Sequence, residues 1–358
     1  MTPSDWHLDW HLVVPGTLEQ RTGGYIYDRR VVEGLRRLGR PIRVHSLDGR
    51  FPGPAPEAEQ ALDASLAGLL DASVVLVDGL ALGAYPAIAA RHASRLAILG
   101  LVHLPLHEET GLSSKRAAEL ERLERAALQS CRGLIATSRF MATRLQAWLK
   151  PSPPVRFVTP GTDRITKTKA MPQKPREPRL LCVGSLVPRK GQDLLIAALA
   201  QLRERPWHCL LAGSDTRDPD FAEKLRAQIR SHELDGRVEM LGDCTEANLH
   251  KIYPSVDLFV LPTWYESYGM AFTEAMAHGL PVVSTTGGAI PDTVPHSAGF
   301  LVTPGDVPAL VGVLSRLLDE PDLRARLAQG ARQHAATLPD WERTASDFAL
   351  AVEALVAS

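Results

Sequence analysis

No run of apolar residues in this sequence reaches the length of a bilayer crossing. The two most apolar stretches, 72–82 and 96–106, are broken by Asp78 and His103 and fall short of the ~20 residues a transmembrane helix needs. The opening decapeptide is polar and lacks the basic-then-apolar layout of a secretory signal, so a cytoplasmic location is expected. Cysteine is scarce: Cys131, Cys182, Cys209 and Cys244 stand singly, which excludes a disulfide framework or a zinc knuckle and reads as reduced core thiols. Aromatic residues make up 6% of the chain and do not interleave with any basic run, which argues against a nucleic-acid partner. Neither a G-x-G-x-x-G fingerprint nor a Walker A sequence occurs, so NAD-dependent and P-loop ATPase chemistry lose support. No metal site is expected either. His7 and His11, like His103 and His107, have i, i+4 spacing but lie in segments that read as strand or loop. Asp218-Pro219-Asp220 reads as a helix cap with an acid in the first turn.

What remains is an ordinary globular composition. With 45% apolar and 23% charged residues over 358 positions, about two domains are expected. The formal net charge of −1 hides an asymmetry: residues 1–179 carry 25 Lys and Arg against 18 Asp and Glu, and residues 180–358 carry 15 against 23. A positive first half, with Arg29, Arg30, Arg36 and Arg37 on one helix, is compatible with peripheral contact with an anionic membrane and equally with a solvated face.

Short β-branched or apolar runs alternate with helical patterns throughout, the signature of parallel sheets with crossover helices. Strands are expected at 8–14, 42–47, 73–77, 96–103 and 133–137, with 155–158 as a further one, and then at 181–183, 209–212, 238–241, 258–261 and 282–284. A proline-, lysine- and arginine-rich stretch separates the two series, giving domains at 1–163 and 179–339 with a linker at 164–178. Residues 306–356 read as continuously helical, with Pro321 and Pro339 as restarts. Two Rossmann-like, doubly wound α/β domains facing a cleft are therefore expected, with ligands at the carboxyl ends of the strands.

Four strand-to-helix loops stand out. Thr22-Gly23-Gly24 opens a helix and is either a phosphate cradle or a flexible turn. Gly184-Ser185-Leu186-Val187-Pro188-Arg189-Lys190-Gly191 brings two cations to a helix entrance, where the helix dipole favours anions. A bound anion resolves that conflict; a solvated turn is the alternative. The stretch from Pro262 to Pro281 carries Glu266 in a loop and Glu274 on a helix starting near Gly269, at a separation of up to ~12 Å. That matches a diphosphate flanked by a sugar and a ribose, whose hydroxyls carboxylates bind well. Singly, Glu266 also reads as a cap and Glu274 as an exposed acid. Thr285-Thr286-Gly287-Gly288 is a second glycine pair, closing on a ligand or forming a plain turn. His103 ends a strand at the mouth of the first domain, as a ligand donor or a satisfied structural histidine.

With these loops in order, nearly the whole chain resembles the retaining glycosyltransferase family four, of GT-B fold. The most specific part is Glu266, seven residues, Glu274, within Tyr265-Glu266-Ser267-Tyr268-Gly269 and Glu274-Ala275-Met276-Ala277-His278-Gly279-Leu280-Pro281. The resemblance implies a retaining hexosyltransferase with a nucleoside-diphosphate sugar as donor, an unidentified acceptor, no cofactor and no metal. The first domain would face the acceptor, the second would bind the donor, and the terminal helix at 340–358 would cross back to the first. By the same resemblance Glu274 would hold the ribose, Glu266 the donor sugar, and Arg189 and Lys190 the pyrophosphate. Gly23 and Gly24 would lie against the phosphates, and His103 near the anomeric carbon. Ser185, Tyr268, Gly269 and Met270 would complete the donor site, and His103, Lys190 and Glu266 would serve catalysis. Ser185 stands where the family often has arginine, and Asp292 where glutamate is common. A non-catalytic nucleotide-sugar-binding protein and a GT-B nucleotide-sugar epimerase are the alternatives.

Overall fold

The computed structural model describes residues 10–53, 55–165 and 177–358. The polar opening up to residue 9, with His7 and the start of the first expected strand, lies outside them. So does most of the expected linker, residues 166–176, with Pro172 and Pro175. The chain divides into two compact units, Met1–Gly161 with Trp341–Ser358, and Thr162–Asp340.

The first unit holds a parallel sheet ordered β2-β1-β3-β4-β5-β6. Its strands are β1 (Trp10–Pro15), β2 (Ile42–Leu47), β3 (Val74–Asp78), β4 (Ala97–Val102), β5 (Gly133–Ala136) and β6 (Val155–Phe157). β1, β3 and β4 are buried along their whole length, as expected where helices cover both faces of a parallel sheet. The helix Gly23–Arg37 buries Tyr27, Val31 and Leu35, a stripe at helical spacing, and among them Asp28. Its four arginines do not share one exposed face: Arg36 and Arg37 are exposed, while Arg29 and Arg30 are half-buried, Arg29 on the Leu18 carbonyl at 3.4 Å and Arg30 over the Trp341 ring. The last helix, Trp341–Ala357, packs on this same helix, so closely at Gly34 that a β-carbon there would meet the Ala345 side chain at 2.4 Å. Thr344 Oγ1 donates to the Thr159 carbonyl at 2.9 Å, tying it to the unit it rejoins.

The second unit holds a parallel sheet ordered β12-β11-β10-β7-β8-β9. Its strands are β7 (Arg179–Val183), β8 (His208–Ala212), β9 (Val238–Gly242), β10 (Leu258–Val260), β11 (Val282–Thr285) and β12 (Gly299–Val302). In both units the order doubles back beside the first strand, which defines a doubly wound sheet. The β12 strand is not anticipated by the sequence reading. It is four residues on an edge, with only its end residues fully buried, too short to show a period. The expected helical run at 306–356 comprises Val307–Asp319 and Pro321–Ala335 in this unit and Trp341–Ala357 in the first, with Pro321 at the first position of its helix, where a missing N–H costs nothing. Asp218 caps the helix Pro219–Ser231 by accepting from Phe221 N at 3.0 Å. The cysteines are free thiols, and burial pushes Cys131 and Cys182 up to about 12.

Candidate functional site

The second unit welds three of the four loops into one surface. After β7, a short 3-10 turn, Pro188–Lys190, is followed by Gly191 and the helix Gln192–Ala200. Gly191 has φ +68°, and a β-carbon there would meet the Pro262 carbonyl at 2.2 Å, so only glycine lets the two loops come this close. The Arg189 carbonyl accepts from Trp264 N at 2.8 Å and Thr263 Oγ1 at 2.7 Å, and the Arg189 guanidinium donates to the Tyr265 carbonyl at 3.0 Å. Gln192 reaches back to the carbonyls of Gly184 and Ser185 at 3.2 and 3.0 Å. Thr263 and Gln192, both buried, are supports that sequence reasoning passed over, because neither belongs to a charged or glycine-rich pattern.

The two cations at this helix entrance meet an anion from within the chain. Lys190 Nζ lies 2.6 Å from Glu266 Oε1, and Arg189 lies 3.7 Å from Glu266 Oε2. Burial alone pushes the Glu266 carboxyl up, but the Lys190 and Arg189 charges outweigh it and hold the group below the usual carboxylate range. Glu266 is not a cap: the helix Met270–Ala277 starts after Gly269 with no side-chain cap. Its N-cap, Gly269, offers the first turn no side-chain acceptor, and the helix dipole favours an anion at that end.

The Gly287-Gly288 pair is explained by the same loop. Gly288 has φ +68°, and a β-carbon would sit 2.2 Å from the Glu266 carbonyl. Glu266 and Gly288 form an isolated parallel bridge, and Ala289 N donates to the Glu266 carbonyl at 2.8 Å. The fourth loop therefore clamps the backbone that presents Glu266.

Glu274 is half-buried rather than exposed and accepts from Tyr253 Oη at 3.0 Å. Tyr253 is buried and stacked on His278, ring centroids 4.7 Å apart and planes 14° apart. Burial, reinforced by the Glu274 charge, pushes the Tyr253 phenol well up. His278, beside His250 at 3.2 Å, is pushed down to about 4 by burial and by that neighbour. Tyr253 was not singled out from sequence, since nothing in its spacing marks it. Of the remaining expected residues, Ser185 and Met270 are half-buried, and Tyr268 is buried.

In the first unit, His103 follows β4 and turns to two buried acids. Its Nε2 lies 3.0 Å from Asp28 Oδ1 and 4.0 Å from Asp78 Oδ2. Asp78 is itself fixed, accepting from Leu80 N at 2.7 Å. Burial lowers the imidazole, but Asp28 and then Asp78 outweigh it and raise it to about 9. Asp78 is raised to about 6, mainly by burial. These three side chains lie close enough together for an ion, and His103 and Asp28 are joined by the 3.0 Å hydrogen bond. His11, which the sequence paired with His7, instead lies 2.9 Å from His45. Gly24 lies against the His103 ring, a β-carbon there meeting Cδ2 at 3.2 Å, whereas Gly23 has nothing within 4 Å. His107 does not join His103: its Nδ1 is 3.4 Å from the buried Glu124.

Residues 163–334, nearly all of the second unit, match the family model described as glycosyl transferases group 1. The chain is 30% identical over 207 residues to a D-inositol 3-phosphate glycosyltransferase of Corynebacterium efficiens, covering 56% of this chain and 49% of that one. It is 32% identical over 202 residues to the lipopolysaccharide core biosynthesis mannosyltransferase LpsB of Rhizobium meliloti, covering 54% of each. The chain thus spans about half the length of the curated relatives it matches. Among solved structures, sucrose-phosphate synthase from Thermosynechococcus elongatus superposes with a TM-score of 0.81 over 98% of this chain and 99% of that one, at 23% identity. Anabaena HepE in complex with UDP-glucose superposes with a TM-score of 0.75 over 97% and 100%, at 20% identity. At those identities the likeness establishes the fold, that of the GT-B proteins with two Rossmann-like domains.

Proposed function

We propose that this chain is a retaining glycosyltransferase that takes a sugar from a nucleoside-diphosphate sugar and passes it to a hydroxyl acceptor. The observation that carries the reading is the Lys190–Glu266 pair at 2.6 Å, beside an uncapped helix start, within the segment that matches a glycosyltransferase family model. Cation and carboxylate meet there with a ready partner each in a sugar diphosphate. Lys190 and Arg189 would bind the diphosphate, Glu266 the sugar hydroxyls, and Glu274, held by Tyr253, the ribose. The bond from the anomeric carbon to the phosphate oxygen breaks, and a bond to the acceptor oxygen forms on the same face. The acceptor proton passes to the departing phosphate, whose charge Lys190 and the helix start stabilise. The cations would do here what a divalent metal does elsewhere, so we propose a metal-independent reaction.

The test is release of nucleoside diphosphate from a panel of UDP-, GDP- and ADP-sugars, with and without EDTA, after ranking the panel by thermal stabilisation. UDP-glucose and GDP-mannose head the panel, given the complex of HepE and the mannosyltransferases among the relatives, one of them named as GDP-mannose-dependent. Release that survives EDTA, with the anomeric configuration kept, is the expected result. Tight binding without release would favour a non-catalytic binding protein. Interconversion of two nucleotide sugars without release would favour an epimerase.

A further inference from the structure

We propose that Asp28 is a positioning residue for His103, binding its Nε2 so that Nδ1 is the nitrogen left to donate to a ligand. This rests on the transferase reading for what the ligand is, but not for the geometry. Asp28 is 1% exposed on a helix whose other buried side chains are Tyr25, Tyr27, Val31, Val32 and Leu35. An acid placed in such a stripe costs stability unless it is paired. Among the described residues its one side-chain hydrogen-bonding partner is His103, at 3.0 Å, and its second oxygen, Oδ2, is buried with no partner. A core that needed only a filler would hold an apolar residue here, so the acid answers to the imidazole.

The imidazole is fixed from several sides. Asp28 on the helix Gly23–Arg37 and Asp78 at the end of β3 face Nε2, and Asp78 is locked in turn by Leu80 N. Tyr27 packs edge-on against the ring at 5.6 Å and is anchored through its hydroxyl to the Val158 carbonyl at 3.1 Å. Gly24 lies beside the ring, where a side chain would press on it. The charged and titratable groups facing His103 are therefore Asp28, Asp78 and Tyr27. Two acids on one nitrogen favour the doubly protonated ring, whose Nδ1–H is then a charged donor. The side chain is 19% exposed and Nδ1 has no partner among the described residues. A phosphate oxygen or a sugar hydroxyl is the class of acceptor it suits.

The experiment is NMR titration of the full chain labelled at histidine, with the His103 signals identified by their loss in His103→Gln. Wild-type His103 is expected to titrate at about 9, and in Asp28→Asn to fall by about one unit or more. Asp78→Asn, whose acid is a further ångström away, is expected to shift it less. A wild-type ring that titrates near 6.5, or one that Asp28→Asn leaves unmoved, overturns the proposal, and the wild-type arm decides even if the variant fails to fold. In the transfer assay Asp28→Asn is expected to lower kcat about tenfold or more, to bring the basic limb of the pH–rate profile to lower pH, and to add no loss to His103→Gln. Additive losses would overturn the positioning role. If no nucleotide sugar is turned over, the transferase reading fails while the titration still decides the role of Asp28.

Discussion

Lys190 and Arg189 bring positive charge to a helix entrance, a placement the helix dipole opposes, and Glu266 supplies the compensating charge at 2.6 and 3.7 Å. In the proposed reaction the carboxylate and a diphosphate then compete for the same cations. Glu266→Gln should therefore bind bare nucleoside diphosphate about three- to tenfold more tightly, by calorimetry, while turnover of the intact donor falls about tenfold or more. Weaker binding of the bare diphosphate would show that the ion pair does not compete. The other carboxylate works with its tyrosine. Glu274→Ala should weaken bare nucleoside diphosphate about tenfold and Tyr253→Phe about threefold, since the phenol only orients the acid at 3.0 Å. Unchanged affinity in the Glu274 variant would remove the ribose assignment.

Between elements, the site depends on how closely three loops approach. Gly288→Ala places a β-carbon where the Glu266 carbonyl already lies, and in a left-handed backbone. It should cost about 1–3 kcal/mol by chemical denaturation and lower turnover as well, because the displaced backbone is the one that presents Glu266. Gly23→Ala is the matched control for stability, with nothing within 4 Å, and should change the denaturation midpoint little. Equal destabilisation by the two would mean that the clamp carries no strain.

On the scale of the molecule, the pH dependence of stability follows from the first unit. His103 is raised from 6.5 to about 9, so its favourable pairing is fully present below pH 6.5 and lost as pH rises through about 9. Asp78 is raised from 3.8 to about 6, so the stability that goes with its proton is present below pH 3.8 and lost as pH rises through about 6. Both losses run the same way. Calorimetry at constant ionic strength should show the first unit melting at progressively lower temperature from pH 6 to 9.5, and His103→Gln should flatten the upper part. A curve already flat in the wild type would contradict the raised imidazole. The surface makes a weaker prediction. With Arg29 and Arg30 half-buried and engaged, Arg36 and Arg37 are the two exposed arginines of the helix Gly23–Arg37, so co-sedimentation with anionic vesicles should be slight at low salt and absent at high salt. Strong salt-sensitive binding would instead favour a lipid-linked acceptor.

The sequence by itself determined the two doubly wound sheets, because fully buried parallel strands must be near-continuous apolar runs and their crossover helices must repeat at 3.6 residues. β3, with Val74, Val75, Leu76 and Val77, shows this as plainly in letters as in space. It also placed the cations and carboxylates in strand-to-helix loops, since those residue types are out of place anywhere else in such a sheet. A short edge strand such as β12 left no such trace. Only the tertiary structure decided the partners. Lys190 and Glu266 are 76 positions apart and His103 and Asp28 are 75 apart. Side chains that distant along the chain meet only where sheet order and loop packing bring them, and no local pattern encodes that. The same holds for Tyr253 beneath Glu274 and for Gly288 against the Glu266 backbone. Tyr253 looks ordinary in the sequence and matters because the fold sets Glu274 3.0 Å away. Gly288 stands out as half of a glycine pair, but that it clears the Glu266 carbonyl is decided only by the packing of the two loops.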